Sequence, residues 1–140
     1  MNSIFFAGSF DPLTLGHLNI IKKAASMTDR LVIGVGGHHG KESLLSVETK
    51  LDLITKVVSK IGDHIEVVSF SNLLVDAIRE HNCTITIRGI RDTSDLNYEL
   101  RMYNTNKNMT KHIETIFLPT DNSLNHISST LVRQIYRMGG

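Results

Sequence analysis

The chain has 140 residues, of which 41% are hydrophobic and 21% charged, so we expect a single folded domain with an ordinary core. Its 15 basic and 14 acidic residues nearly cancel, which argues against a nucleic-acid coat protein or a polybasic membrane binder. The single cysteine cannot form an intrachain disulfide. No apolar run approaches the ~18 residues of a membrane helix, and the N-terminus lacks a signal-peptide pattern. We therefore expect a cytoplasmic protein.

Short β-rich runs alternate with segments of helical spacing along the whole chain. The predicted strands are 3–7, 30–36, 64–69, 84–88 and 114–118. The predicted helices include apolar faces at 18–25 and 51–61 and further segments near 72–81, 93–109 and 128–138. Ser46 and Thr93 offer side-chain acceptors at two helix starts. This order predicts an α/β fold, a Rossmann-like doubly wound parallel five-stranded sheet with helices on both faces.

The loop after the first strand is the first candidate for function, because ligands of such sheets bind beyond the carboxyl ends of the strands. It reads Gly8-Ser9-Phe10-Asp11-Pro12-Leu13-Thr14-Leu15-Gly16-His17 and leads into a helix. Gly8 allows a close backbone approach, Ser9 offers a hydroxyl, and His17 lies near a helix N-terminus, where phosphate is favoured. A tight turn with a cap and a surface imidazole is the simpler alternative.

Three further loops carry groups suited to anions. Lys41 follows the second strand and either presents its charge to a phosphate or is solvated, and a metal site at the adjacent His38 and His39 is not expected. Arg88-Gly89-Ile90-Arg91 ends the fourth strand with two guanidinium groups, one of which could pair with Glu99. The hydroxyls of 128–130 open the last helix, as caps or as phosphate ligands. Since all these loops lie at one predicted edge, the sequence indicates a phosphate-rich pocket.

Two of these motifs resemble those of a known superfamily. Thr14-Leu15-Gly16-His17 and Ile127-Ser128-Ser129-Thr130 resemble the (H/T)-x-G-H and I-S-S-T motifs of the nucleotidylyltransferases. Within that superfamily, Thr14, Arg88–Arg91, Asp95–Glu99 and Phe70–Asp76 resemble the bacterial phosphopantetheine adenylyltransferase family. The similarity runs from residue 3 to about 138, so we expect one nucleotidylyltransferase domain over 1–140, with the further C-terminal helix of the family missing.

The resemblance implies the transfer of the adenylyl group of ATP to 4′-phosphopantetheine, giving dephospho-coenzyme A and pyrophosphate, with Mg²⁺. It implies that His17 and Lys41 stabilise the charge that develops during transfer. The ATP contacts that it implies are Ser9, Phe10, His17, Gly89, Ile90, Arg91, Glu99, Leu124, Asn125, His126, Ile127, Ser128, Ser129 and Thr130. Those to phosphopantetheine are Ser9, Lys41, Leu74 and Arg88. It also implies a homohexamer and feedback binding of coenzyme A, with no nucleic-acid or membrane partner.

The chain departs from the family pattern at two places in the last motif. Leu124-Asn125-His126 replaces a more aromatic run, and Thr130 stands where a third serine is usual. No carboxylate cluster suggests a metal cage, so Mg²⁺ is expected to arrive on the nucleotide phosphates. Two alternatives stay open. One is another nucleotidyl transfer, to an alcohol phosphate or to nicotinamide mononucleotide, and the other is a non-catalytic nucleotide-binding module.

Overall fold

The computed structural model describes residues 2–37, 43–106 and 112–121, and strands and helices alternate through them. The strands are β1 (Ser3–Gly8), β2 (Arg30–Gly36), β3 (Ile65–Phe70), β4 (Ile85–Ile90) and β5 (Glu114–Pro119). The helices are α1 (Leu15–Ala25), α2 (Val47–Val58), α3 (Leu74–Glu80) and α4 (Thr93–Asn106). The predicted helix at 128–138 and the predicted continuation of α4 to 109 lie outside the described residues.

All five strands are parallel and lie in the order β3-β2-β1-β4-β5. The strand order reverses between β1 and β4, because the chain first builds outward from β1 to β3 and then crosses back to the other side of β1. Such a reversal leaves a crevice at the carboxyl ends of the two central strands, where open α/β sheets bind their ligands. Gly8 and Ile90 end the two strands that border this crevice.

Two apolar clusters show that helices cover both faces of the sheet, as predicted. Successive side chains of a strand point to opposite faces, and β1 divides its residues accordingly. Ile4 and Phe6 pack in one cluster with the inner faces of α1 and α2. Phe5 and Ala7 pack in the other with α3. Cys83 belongs to this second cluster and is buried, which agrees with its interpretation as a small apolar residue.

The helix starts follow the sequence with one difference. The Ser46 hydroxyl accepts the backbone N–H of Thr49 and caps α2, as predicted. Thr93 is not the capping acceptor of α4, because it is already the first helical residue. The acceptor is Asp92, whose carboxylate accepts the backbone N–H of Asp95 at 2.9 Å. None of the described helices is long and apolar enough to span a bilayer.

Candidate active site

A capping box holds the His17 imidazole at the start of α1. Thr14 is the N-cap residue, and its hydroxyl accepts the backbone N–H of His17 at 3.3 Å. In return, Nδ1 of His17 accepts the backbone N–H of Thr14 at 3.0 Å. Glutamate or glutamine usually fills this second role. Histidine fills it with one ring nitrogen and retains Nε2 as a second polar atom on the same rigid side chain.

The capping box also decides which ring nitrogen carries the proton. A neutral imidazole has one donor and one acceptor nitrogen, and since Nδ1 accepts the Thr14 N–H, the proton lies on Nε2. Burial lowers the pKa of His17 to about 4, and the positive charge of Arg91 adds to this effect. At neutral pH the ring is therefore an uncharged Nε2–H donor beside the N-terminus of α1.

Phe10 supports the imidazole from the side. Its ring is buried and lies edge-on to His17, with the ring centroids 4.9 Å apart, and edge-on to Phe6 at 5.5 Å. The backbone of Phe10 has φ 47, in the left-handed region that bulky residues rarely adopt. The burial of the ring between Phe6 and His17 holds this conformation. Any contact between Phe10 and a nucleotide must therefore come from its backbone.

Arg88 crosses from the end of β4 to the end of β1. Its Nη1 donates to the carbonyl oxygen of Ala7 at 3.3 Å. Its Nε and Nη2 donate to the two carboxylate oxygens of Glu99 at 3.0 and 2.9 Å. This side-by-side pair confirms that Glu99 binds one of the two arginines, and the structure shows that it is Arg88. Alternation along β4 places Arg88 on the α3 side of the sheet and Ile87 on the α1 side.

Arg91 precedes α4 and is held by Asp95 in the first turn of that helix. Its backbone N–H and Nε both donate to Oδ2 of Asp95, at 2.9 and 3.0 Å. Burial alone would raise the pKa of Asp95, but the hydrogen bonds from the Arg91 side chain and backbone outweigh it and lower the pKa below its ordinary value. The ion pair fixes the guanidinium where its charge acts on His17. Arg91 and His17 are far apart in sequence, but the charge of Arg91 is near enough in the fold to contribute to the lowered pKa of His17.

A cavity of about 410 Å³ lies between α3, α4, β4 and β5. Its volume is within the usual range for a small-molecule site, roughly 300–1,000 Å³. Most of its lining is aliphatic or aromatic, while Arg88 of β4 and Glu99 of α4 supply the charged groups. Its lining residues are Leu73, Leu74, Val75, Ile78, Thr86, Arg88, Tyr98, Glu99, Met102, Tyr103, Ile113 and Thr115. The cavity thus contains two of the predicted phosphopantetheine contacts, Leu74 and Arg88.

Sequence reasoning did not single out the cavity as a whole. Tyr98 and Met102 line it from α4, although on the helix they read as ordinary exposed residues. Their spacing of four places them on one helical face, and Tyr98 also lies in the stretch Asp95–Glu99 that resembles the family. The rest of the cavity wall comes from three other elements, and only their packing brings them together.

Several predicted site residues lie outside the described residues. They are Lys41 and the segment Leu124, Asn125, His126, Ile127, Ser128, Ser129 and Thr130. His38 and His39, where no metal site was expected, lie outside the described residues as well. Of the others, Ser9 lies in the loop after β1 and Ile90 ends β4. Gly89 lets α1 approach β4, because a Cβ there would lie 3.1 Å from Cγ1 of Ile20.

Comparison with known proteins gives first the class and then the family. Residues 5–135 match the family model described as cytidylyltransferase-like, so the chain is a nucleotidyltransferase. It is 46% identical over 140 residues to a phosphopantetheine adenylyltransferase of Chelativorans sp. strain BNC1, covering 97% of this chain and 84% of the relative. It is 43% identical to the enzyme of that name from Rhizobium leguminosarum bv. trifolii, covering 100% and 88%. The chain belongs to the phosphopantetheine adenylyltransferase family.

Solved structures of more distant proteins share the fold. A bifunctional NMN adenylyltransferase/ADP ribose pyrophosphatase from Francisella tularensis superposes with a TM-score of 0.71 at 18% identity, over 99% of this chain and 43% of that one. A putative nicotinate-nucleotide adenylyltransferase from Vibrio parahaemolyticus gives 0.67 at 16% identity, over 99% and 89%. At this identity the likeness establishes the α/β fold and leaves the acceptor to be argued from the site.

Proposed function

We propose that the chain transfers the adenylyl group of ATP to 4′-phosphopantetheine, producing dephospho-coenzyme A and pyrophosphate in coenzyme A biosynthesis. The observation that carries the acceptor assignment is the apolar cavity of about 410 Å³ that ends at Arg88. A long flexible chain with a terminal phosphate fits this arrangement, because its body can pack on apolar side chains while the guanidinium binds the phosphate.

The Arg88 guanidinium has N–H groups that can donate to a phosphate. A guanidinium carries five N–H groups. Glu99 accepts one from Nε and one from Nη2, and the Ala7 carbonyl accepts one from Nη1. Within the part of the chain that the structure describes, these bonds leave a second N–H on each terminal nitrogen. We assign this pair to the acceptor phosphate, with Ser9 and Lys41 completing its contacts and Leu74 meeting the pantetheine chain.

The nucleotide is assigned to the other side of the same crevice, at the N-terminus of α1. Unpaired backbone N–H groups and the helix dipole favour phosphate there, and the neutral His17 presents its Nε2–H at the same end of the helix. The residues assigned to ATP are Ser9, the backbone of Phe10, His17, Gly89, Ile90, Arg91, Glu99 and the segment 124–130. Glu99, which is assigned to ATP, binds Arg88, which is assigned to the acceptor, and this contact supports neighbouring positions for the two substrates.

The transfer needs alignment and charge stabilisation more than proton removal. An oxygen of the acceptor phosphate attacks the α-phosphorus of ATP, the bond to the bridging oxygen breaks, and pyrophosphate leaves with that electron pair. The nucleophile is already an anion, so no side chain has to act as a base. His17 Nε2–H donates to an equatorial oxygen, where charge grows in the transition state, and Lys41 is assigned the same task.

Mg²⁺ is proposed to enter with ATP. Within the ranges 2–37, 43–106 and 112–121, no three His, Cys, Asp or Glu side chains gather in a way that could hold a metal ion. Phosphate oxygens and water would therefore supply its ligands, as is usual for Mg²⁺ on nucleotides. When bound, the ion would neutralise charge on the leaving pyrophosphate.

The test is release of pyrophosphate from ATP in the presence of one acceptor at a time. We expect turnover with 4′-phosphopantetheine and little with pantetheine, which lacks the phosphate for Arg88. Turnover with nicotinamide mononucleotide or an alcohol phosphate instead would identify a different nucleotidyl transfer. Binding of ATP without turnover on any acceptor would identify a non-catalytic module. The homohexamer, coenzyme A feedback and cytoplasmic location that the family implies stay predictions.

A further inference from the structure

Lys50 occupies a position where the pattern of α2 calls for an apolar residue. The buried residues of this helix are Lys50, Ile54 and Val58, which recur every four positions and form its inner face. The lysine side chain is only 1% exposed. Lysine is almost never fully buried without a charged partner, so its place on this face indicates a specific task.

The partner is Asp11, which is buried to the same degree at 2% exposed. Nζ of Lys50 lies 3.9 Å from Oδ1 of Asp11. The two carboxylate oxygens also accept the backbone N–H groups of Leu44 and Leu45, both at 2.8 Å. One carboxylate thus ties the loop after β1 to the chain segment that precedes α2, and the buried ammonium compensates its charge.

This anchor, formed by the Asp11 carboxylate, lies one residue from Phe10, whose ring supports the His17 imidazole. Asp11 directly follows Phe10, whose backbone is left-handed and whose ring packs on His17. A shift of the Asp11 carboxylate would move the backbone of Phe10 and release its ring from the imidazole. The contacts therefore run without a gap from Lys50 through Asp11 and Phe10 to His17.

We propose that Asp11 and Lys50 are positioning residues, which hold the loop after β1 so that Phe10 fixes the His17 imidazole for adenylyl transfer. The proposal rests on the function proposed above. Neither residue touches the reacting atoms, so both act on catalysis through the placement of His17. A misplacement of a catalytic group by about 1 Å can cost up to ~10²-fold in rate, and we expect at least a tenfold loss here.

The experiment compares four variants by kcat, KM and melting temperature. Lys50→Met removes the ammonium that faces the buried Asp11 carboxylate. We expect it to lower both Tm and kcat, the latter at least about tenfold, with KM for ATP nearly unchanged. Lys50→Arg keeps the charge and should recover most of kcat. Lys56→Met makes the same change at an exposed lysine of α2 and should alter neither quantity.

The double variant Asp11→Asn with Lys50→Met separates positioning from stability. It removes both buried charges, so Tm should recover relative to Lys50→Met. Asparagine offers only one acceptor oxygen to the two N–H groups of Leu44 and Leu45, so kcat should stay low. Recovery of kcat together with Tm would overturn the proposal, as would a Lys50→Met protein with normal kcat below its melting temperature.

A measurement on the wild-type protein keeps the proposal testable if a variant does not fold. The amides of Leu44 and Leu45 lie outside any helix or strand, yet the Asp11 carboxylate should protect them from hydrogen exchange by at least about a hundredfold, a factor that corresponds to an opening free energy of about 2.7 kcal/mol. Unprotected exchange at both amides would overturn the anchor. This readout does not depend on turnover, so it also separates a failure of the anchor from a failure of the proposed activity, which the wild-type pyrophosphate assay reports.

Discussion

Replacing His17 with alanine removes two interactions that the structure assigns to different ring nitrogens. Nδ1 is lost as the acceptor for the Thr14 N–H, which should cost about 1 kcal/mol of stability, as losses at helix caps typically do. Nε2–H is lost as the donor to the α-phosphate, and removal of one such preorganised donor typically lowers kcat by about 10²–10³, or about 2.7–4 kcal/mol. We expect both effects in this variant, with a much smaller change in ATP affinity because the donor acts mainly in the transition state.

His17→Gln separates the two interactions. Glutamine is a usual partner in a capping box, so its side-chain oxygen can accept the Thr14 N–H and restore Tm. It does not reproduce the rigid ring that places Nε2–H, so kcat should stay low. His112→Ala, at an exposed histidine, is the control for loss of an imidazole as such.

Steady-state pyrophosphate release and a melting curve, measured on the same preparations, decide the matter. A His17→Ala protein with a lowered Tm and a near-wild-type kcat would refute the catalytic role. Recovery of kcat in His17→Gln, in step with Tm, would show that the ring only caps the helix.

The pH dependence of stability offers an independent test of the neutral ring. In the folded chain the pKa of His17 is lowered from 6.5 to about 4, so between these values the unfolded chain binds the proton and the folded chain does not. The stabilisation is complete above pH 6.5 and is lost as the pH falls toward 4, by at most about 3 kcal/mol at 1.36 kcal/mol per unit. Thermal melts from pH 7.5 to 4 should show a steeper loss in wild type than in His17→Gln. Equal slopes would contradict the assignment.

Two further predictions concern the acceptor and the core. Arg88→Ala should weaken phosphopantetheine binding by about 1.5–3 kcal/mol and ATP binding much less. The control Arg101→Ala, at an exposed arginine of α4, should change the binding of neither ligand. Equal losses for both ligands by calorimetry would give Arg88 a structural role. Gly34→Ala should destabilise the fold by about 1–3 kcal/mol, because its Cβ would lie 2.3 Å from Cζ of Phe5. Gly37→Ala, whose Cβ would meet no described residue within 4 Å, should stay within about 0.5 kcal/mol in a denaturant titration.

The strands and helices could be predicted because their signals are local. Apolar runs and helical spacing report the burial of single faces, and the structure places each strand within two residues of its predicted position. The parallel sheet followed from the alternation alone, since a strand–helix–strand unit returns the chain in the same direction. The expectation that functional side chains collect at one sheet edge follows from the same geometry. The structure places Ser9 and His17 after β1 and Arg88 and Arg91 at the end of β4, and their functional roles stay predictions.

The roles of individual side chains within that edge were less accessible. From the sequence, Glu99 could pair with Arg88 or with Arg91. The packing of α4 against β4 places Glu99 at Arg88. Thr93 has the right chemistry for a cap, yet the helix begins one residue too early for it to act as one. Such choices depend on differences of one residue in register or of a partial helical turn, which local composition does not encode.

The amino-acid sequence was enough to predict the fold class, the edge of the sheet where function is expected and, through its motifs, the family. The three-dimensional structure was needed to show which ring nitrogen of His17 can donate, that Leu74 and Arg88 share one cavity, and that Lys50 meets Asp11 inside the protein. Each of these depends on contacts between residues far apart in the chain or on the direction of a single side chain. Periodicity reports which face of an element is buried, whereas the partner that it meets there is set by the packing of the whole domain.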